Sequence, residues 1–144
     1  MSSPDERKEK ILIVSLRLFA VILLLAFPCM LLPVEWMAAT YRWLGLGEFP
    51  ASPLMDYLTR SISFLYGFHG GLLLLAASDV RRYRGIVTYI VVMGFAFGVS
   101  LIFIDAHAGL PRYWTLGEGP SVILTAAFVG LLLRAVPRTE RTAG

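Results

Sequence analysis

The residues between positions 105 and 120 are the most chemically varied part of this chain. They read DAHAGLPRYWTLGEGP and separate two strongly apolar stretches. Asp105, His107 and Glu118 are residue types that bind zinc or manganese, but a DxH sequence followed by one distant Glu has no diagnostic metal-binding spacing. The segment therefore raises the hypothesis of a metal- or quinone-linked redox or enzyme subunit without establishing it.

The other reactive side chains do not form a recognised catalytic arrangement. The only lysines are Lys8 and Lys10, and the sequence contains no nucleophile constellation and no glycine-rich phosphate loop of known spacing. His69 and His107 are expected to lie roughly 20 Å apart in depth, so they cannot bind one haem iron between them. Cys29 is the single cysteine, and disulfide exchange needs a pair. We predict no catalytic residue, no bound metal and no cofactor.

Four long apolar stretches must position these polar residues. The composition is 57% hydrophobic with a mean hydropathy of +0.70, well above the level of an ordinary soluble domain. A bilayer core needs roughly 20 apolar residues per helix. The stretches of suitable length cover residues 11–32, 54–78, 85–104 and 117–136. The sequence therefore predicts an all-α fold, a four-helix transmembrane bundle built as a single integral membrane domain over residues 1–144.

The distribution of positive charge predicts how these helices are oriented. Ten of the 13 lysines and arginines fall on the side that carries both termini and the DVRRYR turn at residues 79–84. Both termini are therefore expected to be cytoplasmic, and residues 105–120 to face outward, in a bacterial inner membrane. Anionic lipid then accounts for the pI near 9.3 without any nucleic acid partner.

Arg60 lies about two turns inside the second stretch, where an unpaired charge would be costly. Reflecting successive helices about their connecting turns places Asp105 and Glu118 near its level, and Asp56 is one turn away on the same helix. Any of these acids could pair with Arg60, and snorkelling of its side chain to lipid headgroups is the alternative. We call the predicted binding residues on this outer side the polar cluster, whose members are Arg60, Asp56, Asp105, His107, Trp114 and Glu118.

Small residues predict how the central helices meet. Gly67 and Gly71 share one helical face, as do Gly94 and Gly98, and small residues allow close packing of membrane helices. These two faces are expected to pack on each other in an antiparallel hairpin. Residues 34–44 show a helical pattern ending before a glycine, and they predict a short interfacial helix in the first external loop.

The DVRRYR turn contains a second group of candidate residues, Asp79, Arg82 and Tyr83. Asp79 is expected either to cap the third spanning helix or to pair with Arg82 and hold the turn. A lipid headgroup site on the arginines of this turn is the alternative.

The stretches YLTRSISFLYGFHGGLLLLAASDVRRYR and IDAHAGLPRYWTLGEGP resemble a group of small four-helix bacterial membrane proteins. A looser likeness connects the chain with DoxX-like membrane proteins. The resemblance covers about residues 54–136 and implies the topology and the polar cluster, but no reaction, because the group has no assigned activity. The positions that carry it are Tyr57, Arg60, Asp79, Arg82, Tyr83, Asp105, Gly109, Pro111, Trp114, Thr115, Glu118, Gly119 and Pro120.

These observations favour a non-enzymatic membrane component. It would be an accessory subunit of a larger complex or a binder of a lipid or small amphiphile at a charged outer mouth. The expected partners are membrane lipids, with a membrane-protein partner or a second copy of the chain as further possibilities.

Overall fold

The computed structural model describes residues 4–137, and these residues contain α-helices and no strand. The helices are α1 (Pro4–Leu24), α2 (Ala26–Cys29), α3 (Val34–Trp43), α4 (Pro53–Ser78), α5 (Arg84–Ala108) and α6 (Arg112–Ala135). Within residues 4–137, four segments are long and apolar enough to cross a membrane: Asp5–Cys29, which combines α1 and α2, and then α4, α5 and α6. The prediction of an all-α fold with four membrane-spanning helices is confirmed, and so is the short helix after the first span.

The described residues form two compact units, the first of which combines two separate ranges of the chain. The first unit contains residues 4–18 and 73–137, and the second contains residues 19–72. Arg138 and Arg141, which contribute to the predicted positive side, lie outside the described residues. Each unit has its own close helix contacts.

In the first unit, α5 and α6 approach so closely that their backbones touch. A Cβ placed on Gly98 would lie 2.9 Å from the Gly119 carbonyl oxygen, and one on Gly119 would lie 2.8 Å from the Gly98 carbonyl oxygen. Farther along the same face, Gly94 faces Ala126. The α5 glycines therefore pack on α6, and the prediction that they face Gly67 and its neighbours is wrong. Small residues permit close approach but do not choose the partner helix.

The connection between α5 and α6 contains only the three residues 109–111, which end one helix and begin the next. Gly109 adopts a left-handed conformation with φ 71°, and its N–H bonds to the Ala106 carbonyl. The N–H of Leu110 bonds to the Asp105 carbonyl at 3.1 Å, which completes a Schellman ending. Pro111 then precedes the first turn of α6. The fourth span begins five residues earlier than position 117 and contains Pro120 in its interior.

In the second unit, Gly67 and Gly70 of α4 face the first spanning segment, whereas a Cβ on Gly71 would meet nothing within 4 Å. A Cβ on Gly67 would lie 2.6 Å from the ring of Phe27, and one on Gly70 would lie 2.8 Å from the Ala20 carbonyl oxygen. The Phe27 ring also makes an edge contact with Phe64, with ring centroids 5.5 Å apart. The end of the first span is thus held against the middle of α4.

The short helix α3 turns its two tryptophans outward, whereas Tyr41 makes an edge contact with the Phe49 ring. Trp36 and Trp43 are exposed, whereas Met37 is buried. Tryptophan rings favour the membrane–water interface, so exposure of these rings is what an interfacial helix requires.

Candidate functional site

Arg60 is the centre of the densest polar network in the second unit. Its Nε donates to both carboxylate oxygens of Asp56 at 2.9 and 3.0 Å, and its Nη2 lies 2.9 Å from Oδ1. Its Nη1 donates to the Met30 carbonyl, and its Nη2 also donates to the Leu32 carbonyl at 3.3 Å. The side chains of Arg60 and Asp56 are 33% and 38% exposed, so both charges remain partly accessible.

The two carbonyl contacts have a clear structural cause. Met30 and Leu32 follow the end of α2 at Cys29, and Pro33 interrupts the chain before α3. The last carbonyls of a helix have no intrahelical donor, and a cation near that end is favoured by the helix dipole. Arg60 therefore caps the first span from a neighbouring helix. Among the three predicted acid partners, the ion pair that forms is the one with Asp56.

Two clefts border the Arg60–Asp56 pair. The first, which we call the Arg60 groove, has a volume of about 380 Å³ and is lined by Met30, Arg60, Ser61, Phe64 and Leu65. The second, which we call the Asp56 cleft, has a volume of about 310 Å³ and is lined by Val34, Phe49, Ala51, Ser52, Pro53 and Asp56. Most of these walls are apolar, so an amphiphilic ligand could lie along them with its polar part at the ion pair.

The other four members of the polar cluster belong to the first unit. Trp114 donates from Nε1 to Oε2 of Glu118 at 2.6 Å, one turn apart on α6. Asp105 is only 3% exposed on α5, and its Oδ2 has no hydrogen-bond partner within residues 4–137. His107 is exposed near the end of α5. The structure thus brings together two pairs, one in each unit, and the six-residue cluster as a whole stays a prediction.

Metal ligands are not grouped in the described part of the chain. No set of three or more His, Cys, Asp or Glu side chains within residues 4–137 is placed to hold a metal ion. Asp105, His107 and Glu118 therefore do not form a three-residue ligand set, even though their types suit zinc or manganese.

The DVRRYR turn is held by Asp79, but not as a cap of α5. The Asp79 Oδ1 accepts the backbone N–H of Arg82 at 3.0 Å, and the residue that precedes α5 is Tyr83, which makes no side-chain cap bond. The guanidinium of Arg82 lies 5.4 Å from the Tyr83 ring centroid. Asp79 lies five residues before α5 rather than at its cap, and it holds the turn through the backbone N–H of Arg82 rather than through the Arg82 guanidinium.

Two further arginines of this turn make structural contacts that the sequence interpretation missed. Arg81 donates to Glu9 of α1 from Nε and Nη2, the latter at 2.6 Å, and these hydrogen bonds raise the pKa of Arg81 above its ordinary value. Arg84 donates to the carbonyls of Val136 and Leu133 at 2.7 and 2.9 Å, at the end of α6. Reflecting α5 onto α6 about the Gly109 turn would have placed Arg84 at that end.

Arg84 is expected to stabilise the end of α6. Replacing it with methionine removes two charge-assisted bonds to helix carbonyls and should lower the free energy of unfolding by about 1–2 kcal/mol. Arg82→Met is the matched control, because the Arg82 side chain contacts the Tyr83 ring at the exposed turn. The free energy of unfolding of both variants is measured by titration with a denaturing detergent. Equal losses for both would contradict the capping role.

Comparison of the chain with known protein families, curated proteins and solved structures found no match. The resemblance to small four-helix and DoxX-like membrane proteins therefore stays a prediction from the residues that carry it.

Proposed function

We propose that this chain is a non-enzymatic multi-pass membrane protein that retains a lipid or similar amphiphile in the Arg60 groove, alone or as an accessory subunit of a membrane complex. The observation that carries the proposal is a partly exposed guanidinium beside an apolar groove. A groove of this kind suits a ligand with a polar head and an apolar tail.

The depth of the groove along α4 supports a lipid ligand. Asp56 and Arg60 follow Pro53 by one and two helical turns, or about 5 and about 10 Å along the axis. Phe64 and Leu65 continue the groove toward the middle of the helix. In a bilayer, the headgroup and the first chain carbons of a phospholipid cover the same range of depth as these α4 residues.

The site is proposed to face the outside of a bacterial inner membrane, with both termini in the cytoplasm. The support is the excess of lysine and arginine on the side of the termini and the DVRRYR turn. The exposed Trp36 and Trp43 of α3 agree with an interface beside the groove.

Filling the groove is expected to remove the bound lipid. Leu65 is 62% exposed and lines the groove, so Leu65→Trp should occupy the space without disturbing a buried contact. We expect at least about a fivefold loss of lipid adducts, which corresponds to about 1 kcal/mol. Native mass spectrometry of protein released from nanodiscs measures the adducts.

Leu75→Trp is the matched control, because Leu75 is 48% exposed on the same helix and does not line the groove. It should retain lipid like the unmodified chain. If Leu65→Trp and Leu75→Trp carry the same adducts as the unmodified chain, the groove does not hold lipid and the proposed function is wrong.

A further inference from the structure

We infer that the preferred ligand of the Arg60–Asp56 site is a zwitterionic phospholipid with a primary ammonium, such as phosphatidylethanolamine. This inference rests on the proposed function and specifies its ligand. It comes from the pairing of two opposite, partly exposed charges at the border of two clefts, which distinguishes this site from an isolated arginine.

One N–H donor of Arg60 remains for a contact with a phosphate oxygen. Its bonds to Asp56, Met30 and Leu32 occupy Nε–H, one Nη1–H and the Nη2 group. An arginine side chain has five N–H donors, so a second Nη1–H is available to a phosphate oxygen. Because the Arg60 side chain lines the groove and is 33% exposed, a headgroup can reach it.

The carboxylate of Asp56 supplies the opposite charge. It lines its own cleft, is 38% exposed, and its Oδ2 accepts from Nε of Arg60 at 3.0 Å. A carboxylate oxygen has two lone pairs, and Oδ2 uses only one of them for Arg60, so Oδ2 can accept a further N–H donor from a ligand. Ser52 lines the same cleft. A primary ammonium with three N–H donors matches this acceptor.

Charge balance decides between ligand classes. The Arg60–Asp56 pair is neutral, and its two charged groups are in direct contact. A headgroup that carries only negative charge would gain from Arg60 but would meet the Asp56 carboxylate at short range. A headgroup that carries both charges can place its phosphate on Arg60 and its ammonium on Asp56, and it therefore gains from both.

The test uses the full chain in nanodiscs that contain equal amounts of phosphatidylethanolamine and phosphatidylglycerol. We expect the unmodified chain to retain phosphatidylethanolamine at least about fivefold over phosphatidylglycerol in native mass spectra. Asp56→Asn keeps the size and an acceptor oxygen but removes the negative charge, and it should abolish this preference. Glu35→Gln makes the same charge change at an exposed acid of α3 that lines neither cleft, and it should keep the preference.

Each outcome separates the two proposals. If Leu65→Trp loses adducts but the unmodified chain retains phosphatidylglycerol equally or better, the ligand class is wrong and the groove remains a lipid site. A preference that persists in Asp56→Asn also overturns the inference. If Asp56→Asn fails to fold, the comparison of the two lipids on the unmodified chain still decides the question.

Discussion

Arg60→Leu is expected to lower the free energy of unfolding more than Arg84→Met does, because Arg60 makes more hydrogen bonds. The change removes the donors to the Met30 and Leu32 carbonyls and leaves Asp56 without its arginine. Hydrogen bonds to a charged group contribute about 1.5–3 kcal/mol, and removing Arg60 leaves its acceptors without these donors. Since Arg60 is a third exposed, the expected loss stays well below that of a fully buried ion pair.

Two variants separate the geometry of Arg60 from its charge. Arg60→Lys keeps a positive charge but offers a point-like ammonium in place of a planar fork, so it should recover only part of the lost stability. Arg42→Leu removes an exposed arginine of α3 in the same unit and should change stability by less than about 0.5 kcal/mol. Unfolding is followed in a denaturing detergent titration. A loss for Arg42→Leu as large as that for Arg60→Leu would show that general charge, rather than helix capping, matters.

Gly119→Ala is expected to destabilise the protein by about 2 kcal/mol, even though alanine is the better helix former. The added methyl would lie 2.5 Å from the Ile102 side chain and 2.8 Å from the Gly98 carbonyl oxygen. The side chain can move, but the backbone oxygen can move only if α5 and α6 separate. Overpacking of this kind costs about 1–3 kcal/mol, which exceeds the helix-propensity gain of up to about 1 kcal/mol.

The matched control lies two residues earlier on the same helix. A Cβ on Gly117 would meet nothing within 4 Å, so Gly117→Ala should stabilise the protein by about 0.5–1 kcal/mol. The prediction is therefore a difference in sign between two identical substitutions on α6. Stabilisation by both would mean that the two helices do not touch at Gly98 and Gly119.

The sequence alone was enough to predict the helices, because their lengths are determined by local chemistry. A stretch of about 20 apolar residues must form its own backbone hydrogen bonds in lipid, and a helix satisfies them all. Gly109 and Pro111 mark the end of α5 and the start of α6, whereas the predicted spans ended at 104 and began at 117. The helix ends shifted by several residues, as in α6, which begins at Arg112 although its polar first turns weaken the apolar signal.

The sequence was enough to find the partner of Arg60 on its own helix but not its partners in the first span. Asp56 is one turn from Arg60, so that pairing needed only helical geometry. The carbonyl acceptors at Met30 and Leu32 are 30 and 28 residues away, and they became predictable only once the first span was known to end beside α4. Backbone carbonyls carry no residue-type signal, so no pattern could point to them.

Packing between helices was decided by the tertiary structure. The regular glycine spacing on α4 and α5 suggested that those faces meet, whereas Gly98 in fact contacts Gly119, which belongs to no such repeat. Lipid tails solvate every apolar face of a helix almost equally. Apolarity therefore determines how long a helix is, but not which of its faces packs on a neighbouring helix. The packed face is determined by close backbone contacts and by arginines that reach the free carbonyls of a neighbouring helix. Both kinds of contact join residues that are far apart in the sequence, so only the tertiary structure shows them.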